Sequence, residues 1–298
     1  MDTLAKALIS RASGQPKLRV DDVVICEVDL AMIHDSGGPR RVKPILDRLQ
    51  RQVWDKDKIV VVTDHYVPAE NAETQAIQAL TKQWVQDQSI DKFYDEQGIC
   101  HVVRPERGHL APGLFCVGGD SHSPTGGAFG AYMFGIGATE MAGVLATGEI
   151  WIKVPETILM SWRNQLSAYV TAKDMMLAMC RKIGMGGGRY QAIQYAGQTI
   201  QSLSMQERMT LSNMAAELGA QAGLIAPDEA TVAFVRAAGG TVPANWRDFQ
   251  IEAAESAENV MQFDAASLEP QIAAPHSPEN ADAADAFRNI SFDVAYIG

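Results

Sequence analysis

Gly118-Gly119-Asp120-Ser121-His122-Ser123-Pro124-Thr125-Gly126-Gly127-Ala128-Phe129-Gly130 is the stretch whose reading decides the fold. An apolar run, Gly113 to Val117, leads into it, and an Ala/Gly/Met-rich segment, Ala131 to Gly148, follows. The pattern predicts a strand, a tight glycine loop and then a helix. A carboxylate, a hydroxyl and an imidazole stand in a row at the strand's end. In open α/β sheets, ligands bind in the crevice at such ends. Glycines there permit positive φ and close backbone approach to a ligand.

The same arrangement recurs upstream. Lys58 to Thr63 is a continuous β-branched run, read as a buried strand, and it ends at Asp64-His65. Val23 to Val28 reads as a strand, with His34-Asp35 in the turn-rich loop after it. Gly98 to Val103 reads as a short strand carrying His101. Five of the six histidines fall between residues 34 and 122. Buried imidazoles need partners, so several at strand ends point to one converging site. His109 and His276 are read as loop residues.

The chain of 298 residues is 47% hydrophobic, enough for two domains, and its net charge is −11. That charge argues against nucleic acid or an anionic membrane as partner. An anionic substrate must then be held by local donors. Cys26, Cys100, Cys116 and Cys180 each lie in or beside an apolar run, and no two have CxxC spacing. They read as reduced core thiols of a cytoplasmic protein. No stretch is long and apolar enough to span a membrane.

The fold class is α/β. A first domain is expected over 1–153. The strand–helix pattern restarts at Val154 and gives a second domain over 154–250, with Thr171, Ser204 and Asp228 opening helices. There Asn213 and Glu217 stand four apart on a helix, on one face. Residues 251–289 are rich in Ala, Glu, Asp and Pro and read as a connector, partly disordered. Residues 290–298 read as the first strand of a further domain.

Asp120-Ser121-His122 before Pro124-Thr-Gly-Gly-Ala-Phe-Gly130, then Gly135-Ile-Gly-Ala-Thr-Glu140, resembles the aconitase superfamily. The likeness is nearest to large subunits of the isopropylmalate isomerase and homoaconitase type. Gly186-Gly-Gly188 and the window Met209 to Gly223 resemble the family's second fingerprint. This resemblance implies three-layer α/β/α domains with parallel-rich mixed sheets. It implies a hydro-lyase that dehydrates and rehydrates a hydroxy-di- or tricarboxylate at a [4Fe-4S] cluster. It also implies the roles. Asp64 and His65 protonate the departing hydroxyl. His101, Asp120, His122 and Glu217 surround the labile iron and its water. Ser121 and His34 contact substrate, and Asn213 supports the cluster's surroundings. The cluster cysteines belong to a C-terminal cluster domain, and a catalytic serine to a small swivelling-domain subunit. None of the four cysteines here matches a ligand position, so this chain alone is expected to bind no cluster and show no turnover.

Two rivals remain. Gly119-Asp-Ser-His-Ser123 is superficially similar to GDS-type serine esterases, but no Asp-x-x-His follows to serve Ser121. Consecutive side chains on a strand also diverge, which argues against a Ser–His pair here. The other rival is a cluster-less fragment that binds a partner without catalysis.

Overall fold

The computed structural model describes residues 3–252, 259–291 and 293–296. Helix α1 (Leu4–Ser13) is capped by Thr3 and ends at left-handed Gly14. Strand β1 (Val23–Glu27) follows, then β2 (Leu30–His34), α2 (Pro39–Leu49), β3 (Ile59–Thr63) and α3 (Ala72–Asp87). Next come β4 (Phe93–Asp95), α4 (Cys100–Glu106), β5 (Phe115–Gly118), β6 (Tyr132–Gly135), α5 (Ala138–Thr147) and β7 (Glu149–Lys153).

Five of these strands form a parallel sheet in the order β4-β3-β2-β5-β6. Alternate residues face opposite sides, as a strand requires. Ala31, Ile33, Val61 and Val117 pack with α1, α2 and α5. Met32, Val60, Val62 and Cys116 pack with α4 and the 3-10 turn Ser123–Phe129. The sheet is thus covered on both faces, which gives three layers. β1 pairs instead with β7 as a separate antiparallel ribbon.

Three local expectations are corrected. Residues 29–39 were expected as a loop, yet Leu30–His34 is the central strand, with all five residues buried. Turn residues bracket it so closely that only its burial reveals it. Gly98 to Val103 is not a strand; Cys100 opens helix α4. The carboxylate of Asp64 accepts the Cys100 N–H at 2.7 Å, and a negative charge at a helix N-terminus favours the helix over the β-branched propensity. The glycine stretch does not run straight into a helix. It forms the 3-10 turn, then β6, and only then α5.

The second sheet is also parallel. It contains β8 (Thr157–Arg163), α6 (Ala172–Ile183), β9 (Ala192–Ala196), α7 (Gln198–Ser202), α8 (Met205–Asn213), β10 (Ala222–Ile225), α9 (Glu229–Ala237) and β11 (Asn259–Asp264), with strand order β10-β9-β8-β11. Capping boxes at Thr171, Ser204 and Asp228 start α6, α8 and α9, as the sequence indicates. The helix expected to carry both Asn213 and Glu217 ends at Asn213. A 3-10 turn, Met214–Ala216, then delivers Glu217. Ala192, Ala222 and Leu224 share one apolar core with Leu4, Phe115 and Tyr132, so the two sheets are packed together.

The expected connector is partly built into this sheet. β11 pairs in parallel with β8, and Phe263 stacks on Trp162 at 4.6 Å. A hairpin of β12 (Gln271–Ala273) and β13 (Ala281–Ala283) is tied to α6 through Asp174, whose Oδ1 accepts the Gln271 N–H at 2.7 Å. β11 and β12 stay largely exposed, as the composition suggests, while pairing satisfies their backbone hydrogen-bonding groups. The strand expected over 290–298 does not form among its described residues, where Val294 and Tyr296 are exposed. Phe292, Ile297 and Gly298 lie outside the described residues.

Candidate active site

The site lies where the carboxyl ends of β2, β3 and β5 meet the end of α8. Asp35 follows β2 and is fully buried. Its Oδ1 accepts the backbone N–H groups of Ser36 and His65, each at 3.1 Å, and its Oδ2 that of Tyr66 at 3.0 Å. One carboxylate thereby fixes the turn after β3. Asp64 Oδ1 lies 2.7 Å from His65 Nδ1 in that turn.

The His34 ring stacks on that of His65, with centroids 4.0 Å apart and planes within 12°. His34 Nε2 donates to the Gly119 carbonyl at 2.9 Å, and Nδ1 accepts the Gly37 N–H at 3.4 Å. Both ring nitrogens are engaged, so the ring is neutral. Burial and the adjacent His65 lower its proton affinity.

Asp120 sits at the centre. Its Oδ1 accepts His101 Nε2–H at 2.7 Å and the His122 backbone N–H at 2.8 Å. Its Oδ2 is 3.7 Å from His65 Nε2. His122 then reaches across to the second sheet, its Nε2 lying 3.2 Å from Glu217 Oε1. Thr125 Oγ1 accepts Asn213 Nδ2–H at 2.9 Å and donates to the His122 carbonyl, so Asn213 steadies the same turn. This close approach depends on Gly127. A Cβ there would fall on the Gly223 carbonyl oxygen of β10.

The charges follow from these contacts. Burial alone would raise Asp120, but donors from His101, His122 and His65 outweigh it and hold the carboxyl well below the usual range. Burial likewise opposes, and donors from His65 and Cys100 outweigh, in lowering Asp64. Asp120 and Asp64 push His65 up to about 10. Asp120 and Glu217 push His122 up to about 10. Both therefore carry a proton at neutral pH. His101 goes the other way, because burial outweighs its bond to Asp120.

All nine residues singled out from the sequence come together here: His34, Asp64, His65, His101, Asp120, Ser121, His122, Asn213 and Glu217. His109 bonds Tyr94 instead, and His276 is exposed. Three contributors escaped the sequence reading. Asp35 was visible only as an acid at a strand end, Thr125 as a turn residue, and Arg104 as part of a polar loop. Clefts of about 420 and 670 Å³ flank the Asp120 turn. Ser121 and Tyr190 line the first, His101 and Asn213 the second.

Ligand-type atoms of His34, Asp35, Asp64 and His65 lie within 4.8 Å of one another, as do those of His101, Asp120 and His122. The nitrogens of His34 are taken, and those of His101 are taken by Asp120 and Arg104. The arrangement is a proton-holding network rather than a ligand cage.

The model of the aconitase family (aconitate hydratase) matches residues 8–293. A probable 3-isopropylmalate dehydratase large subunit of Methanothermobacter thermautotrophicus is 39% identical over 297 residues, which cover 99% of this chain and 70% of that protein. The 3-isopropylmalate dehydratase large subunit 1 of Methanopyrus kandleri is 40% identical with the same coverage. A probable methanogen homoaconitase large subunit of Methanosarcina mazei is 39% identical over 92% of this chain and 70% of its own length. The chain belongs to the aconitase family.

Proposed function

We propose that this chain is a large-subunit portion of a carbon–oxygen hydro-lyase acting on a hydroxy-di- or tricarboxylate of the 3-isopropylmalate or homoaconitate type. In this reading residues 1–153 and 154–250 are its first two domains. In removing water from such a substrate, a base contributed by the small-subunit partner takes the proton from the carbon beside a carboxylate, and hydroxide leaves from its neighbour. Hydroxide leaves most easily when a proton reaches it. His65, charged and held by Asp64, is the donor for that step. His122 and Glu217 hold and exchange protons at the mouth between the sheets. Ser121 contributes a hydroxyl to the substrate cleft, and Asp120 keeps His65 and His122 charged.

The observation that carries this reading is Glu217 Oε2, a buried carboxylate oxygen with no hydrogen-bond partner among the described residues. Buried polar atoms are rarely left so. With His122, it fits the surroundings of a cationic centre and its water. A [4Fe-4S] cluster, when bound, supplies Lewis acidity toward the substrate's oxygens. The chain's own cysteines do not fit as its ligands. All four are buried, and burial pushes Cys26 up to about 12 and the others upward too. Thiolates, not thiols, ligate iron. The reading therefore includes a C-terminal cluster domain and a small-subunit partner.

One geometric feature favours the esterase reading. Ser121 Oγ lies 3.2 Å from His122 Nδ1, and His122 continues to Glu217, so the pair does meet, because it stands in a turn rather than on a strand. A general base must be free to take a proton. The Asp120 and Glu217 carboxylates beside His122 push it up to about 10, so it holds its proton rather than taking one from Ser121, which argues against this reading. A fluorophosphonate probe labelling Ser121 would restore it.

The test joins this chain to the C-terminal part of the Methanothermobacter relative and supplies that organism's small subunit. We expect iron-dependent interconversion of a hydroxycarboxylate, lost in His65→Gln. This chain alone, incubated anaerobically with iron and sulfide, should remain inert. A folded, cluster-loaded chimera inactive toward isopropylmalate, homocitrate and citrate would overturn the reading.

A further inference from the structure

Arg104 lies on α4 and is fully buried. A guanidinium cannot give up its proton in a protein, and a buried charge is costly without partners. Yet among the described residues its hydrogen bonds reach no carboxylate. Nε donates to the Cys100 carbonyl at 3.0 Å, Nη1 to Met133 Sδ at 2.7 Å, and Nη2 to His101 Nδ1 at 3.0 Å. The thioether is a weak acceptor. His101 is therefore the one side-chain nitrogen that this buried cation addresses.

Arginine only donates, so His101 Nδ1 must accept. The ring's proton then sits on Nε2, which faces Asp120 Oδ1 at 2.7 Å. We propose that Arg104 is a positioning residue that holds His101 in this single neutral tautomer, with its N–H fixed on Asp120. The groups that face His101 are Asp120 from the turn after β5, His122 with its ring centroid 6.1 Å away, and Arg104 on its own helix. Asp64 lies beyond, at the start of α4. Of these, only Asp120 could draw a second proton onto His101, and Arg104 occupies the nitrogen that would receive it. His101 is thereby a fixed donor, and the exchangeable protons of the site are left to His65 and His122.

The inference rests on reading the Asp120 network as the proton-handling centre, but its readout needs no turnover. Failure of the hydro-lyase assay and failure here are therefore separable. The chain is labelled with ¹⁵N-histidine, and long-range ¹H–¹⁵N spectra are recorded, with His101 assigned by its loss in His101→Gln. The wild type should show Nε2 protonated and Nδ1 bare throughout the pH range in which it stays folded. In Arg104→Met, His101 should gain a proton on Nδ1 at neutral pH, and Arg104→Lys, which keeps a donor, should restore the bare nitrogen. Nδ1 protonated in the wild type would overturn the proposal, and this holds even if Arg104→Met does not fold. So would a folded Arg104→Met with an unchanged His101 spectrum.

Discussion

Asp120→Asn removes a charge while keeping a shape. The amide oxygen can still accept His101 Nε2–H and the His122 N–H, now at 2.7 and 2.8 Å. What disappears is the negative charge 3.7 Å from His65 Nε2 and 3.7 Å from His122 Nδ1. At about that distance two unit charges interact by about 1 kcal/mol in water and about 4 kcal/mol at an effective dielectric of 20. With ~1.4 kcal/mol per pKa unit, this spans roughly 0.8 to 3 units. Both imidazoles are about one-third exposed, which favours the screened end. We expect each to fall by ~1–2 units from its present value of about 10. Neither should return fully to the ordinary 6.5, because His65 keeps Asp64 at 2.7 Å and His122 keeps Glu217 at 3.2 Å. The His101 tautomer should not change. Histidine C2–H titration by NMR, with circular dichroism to verify folding, measures all of this. A folded Asp120→Asn protein in which His65 and His122 titrate as in the wild type would refute the electrostatic assignment.

Glu217→Gln should lower the titration of His122 and leave that of His65 in place, since only His122 touches Glu217; the same spectra decide it. Gly127→Ala sets a methyl against the backbone of Gly223 and Leu224, which cannot rotate away, and should cost about 3 kcal/mol or more in chemical denaturation. Gly143→Ala, in the interior of α5 with nothing within 4 Å of the new methyl, should instead stabilise by about 0.5–1 kcal/mol. Thermal unfolding against pH should reveal both ends of the network. His65 and His122 hold a proton more tightly folded than unfolded, so their contribution is whole below 6.5 and is lost as pH rises through about 10. Asp64 and Asp120 hold it less tightly, so theirs is present above 3.8 and is lost as pH falls below that value.

The strands that the sequence disclosed were those with continuous apolar runs, such as Ile59–Thr63 and Phe115–Gly118. The central strand β2 carries Leu30, Ala31 and Met32, residues common in helices, and was hidden by the turn residues around it. The α4 error has the opposite origin. Val102 and Val103 favour a strand locally, but the Asp64 carboxylate, 36 positions away, decides for a helix. Local preference gives way where a long-range hydrogen bond is worth more than the propensity difference. The same holds for β11, whose pairing with β8 outweighs an Ala- and acid-rich neighbourhood.

The site was more legible than the fold around it, for a physical reason. A group that must hold a proton is an imidazole or a carboxylate, and such residues stand out at strand ends. The groups that set the state of those imidazoles do not stand out. Asp35 acts mainly through four backbone N–H groups, Thr125 through Asn213 and a carbonyl, and Arg104 reaches the site through the far nitrogen of His101. Each of the two charged histidines lies beside two carboxylates, whereas each of the two neutral ones has one nitrogen that accepts an N–H, from Gly37 at His34 and from Arg104 at His101. Nothing in the one-letter code separates His65 from His34 or His122 from His101. Only the partner on the second nitrogen does, and in each case that partner comes from a different segment of the chain or from the next turn of a helix. Protonation in this site is thus a property of the packing, and a substitution at a silent partner should alter the chemistry as surely as one at the imidazole itself.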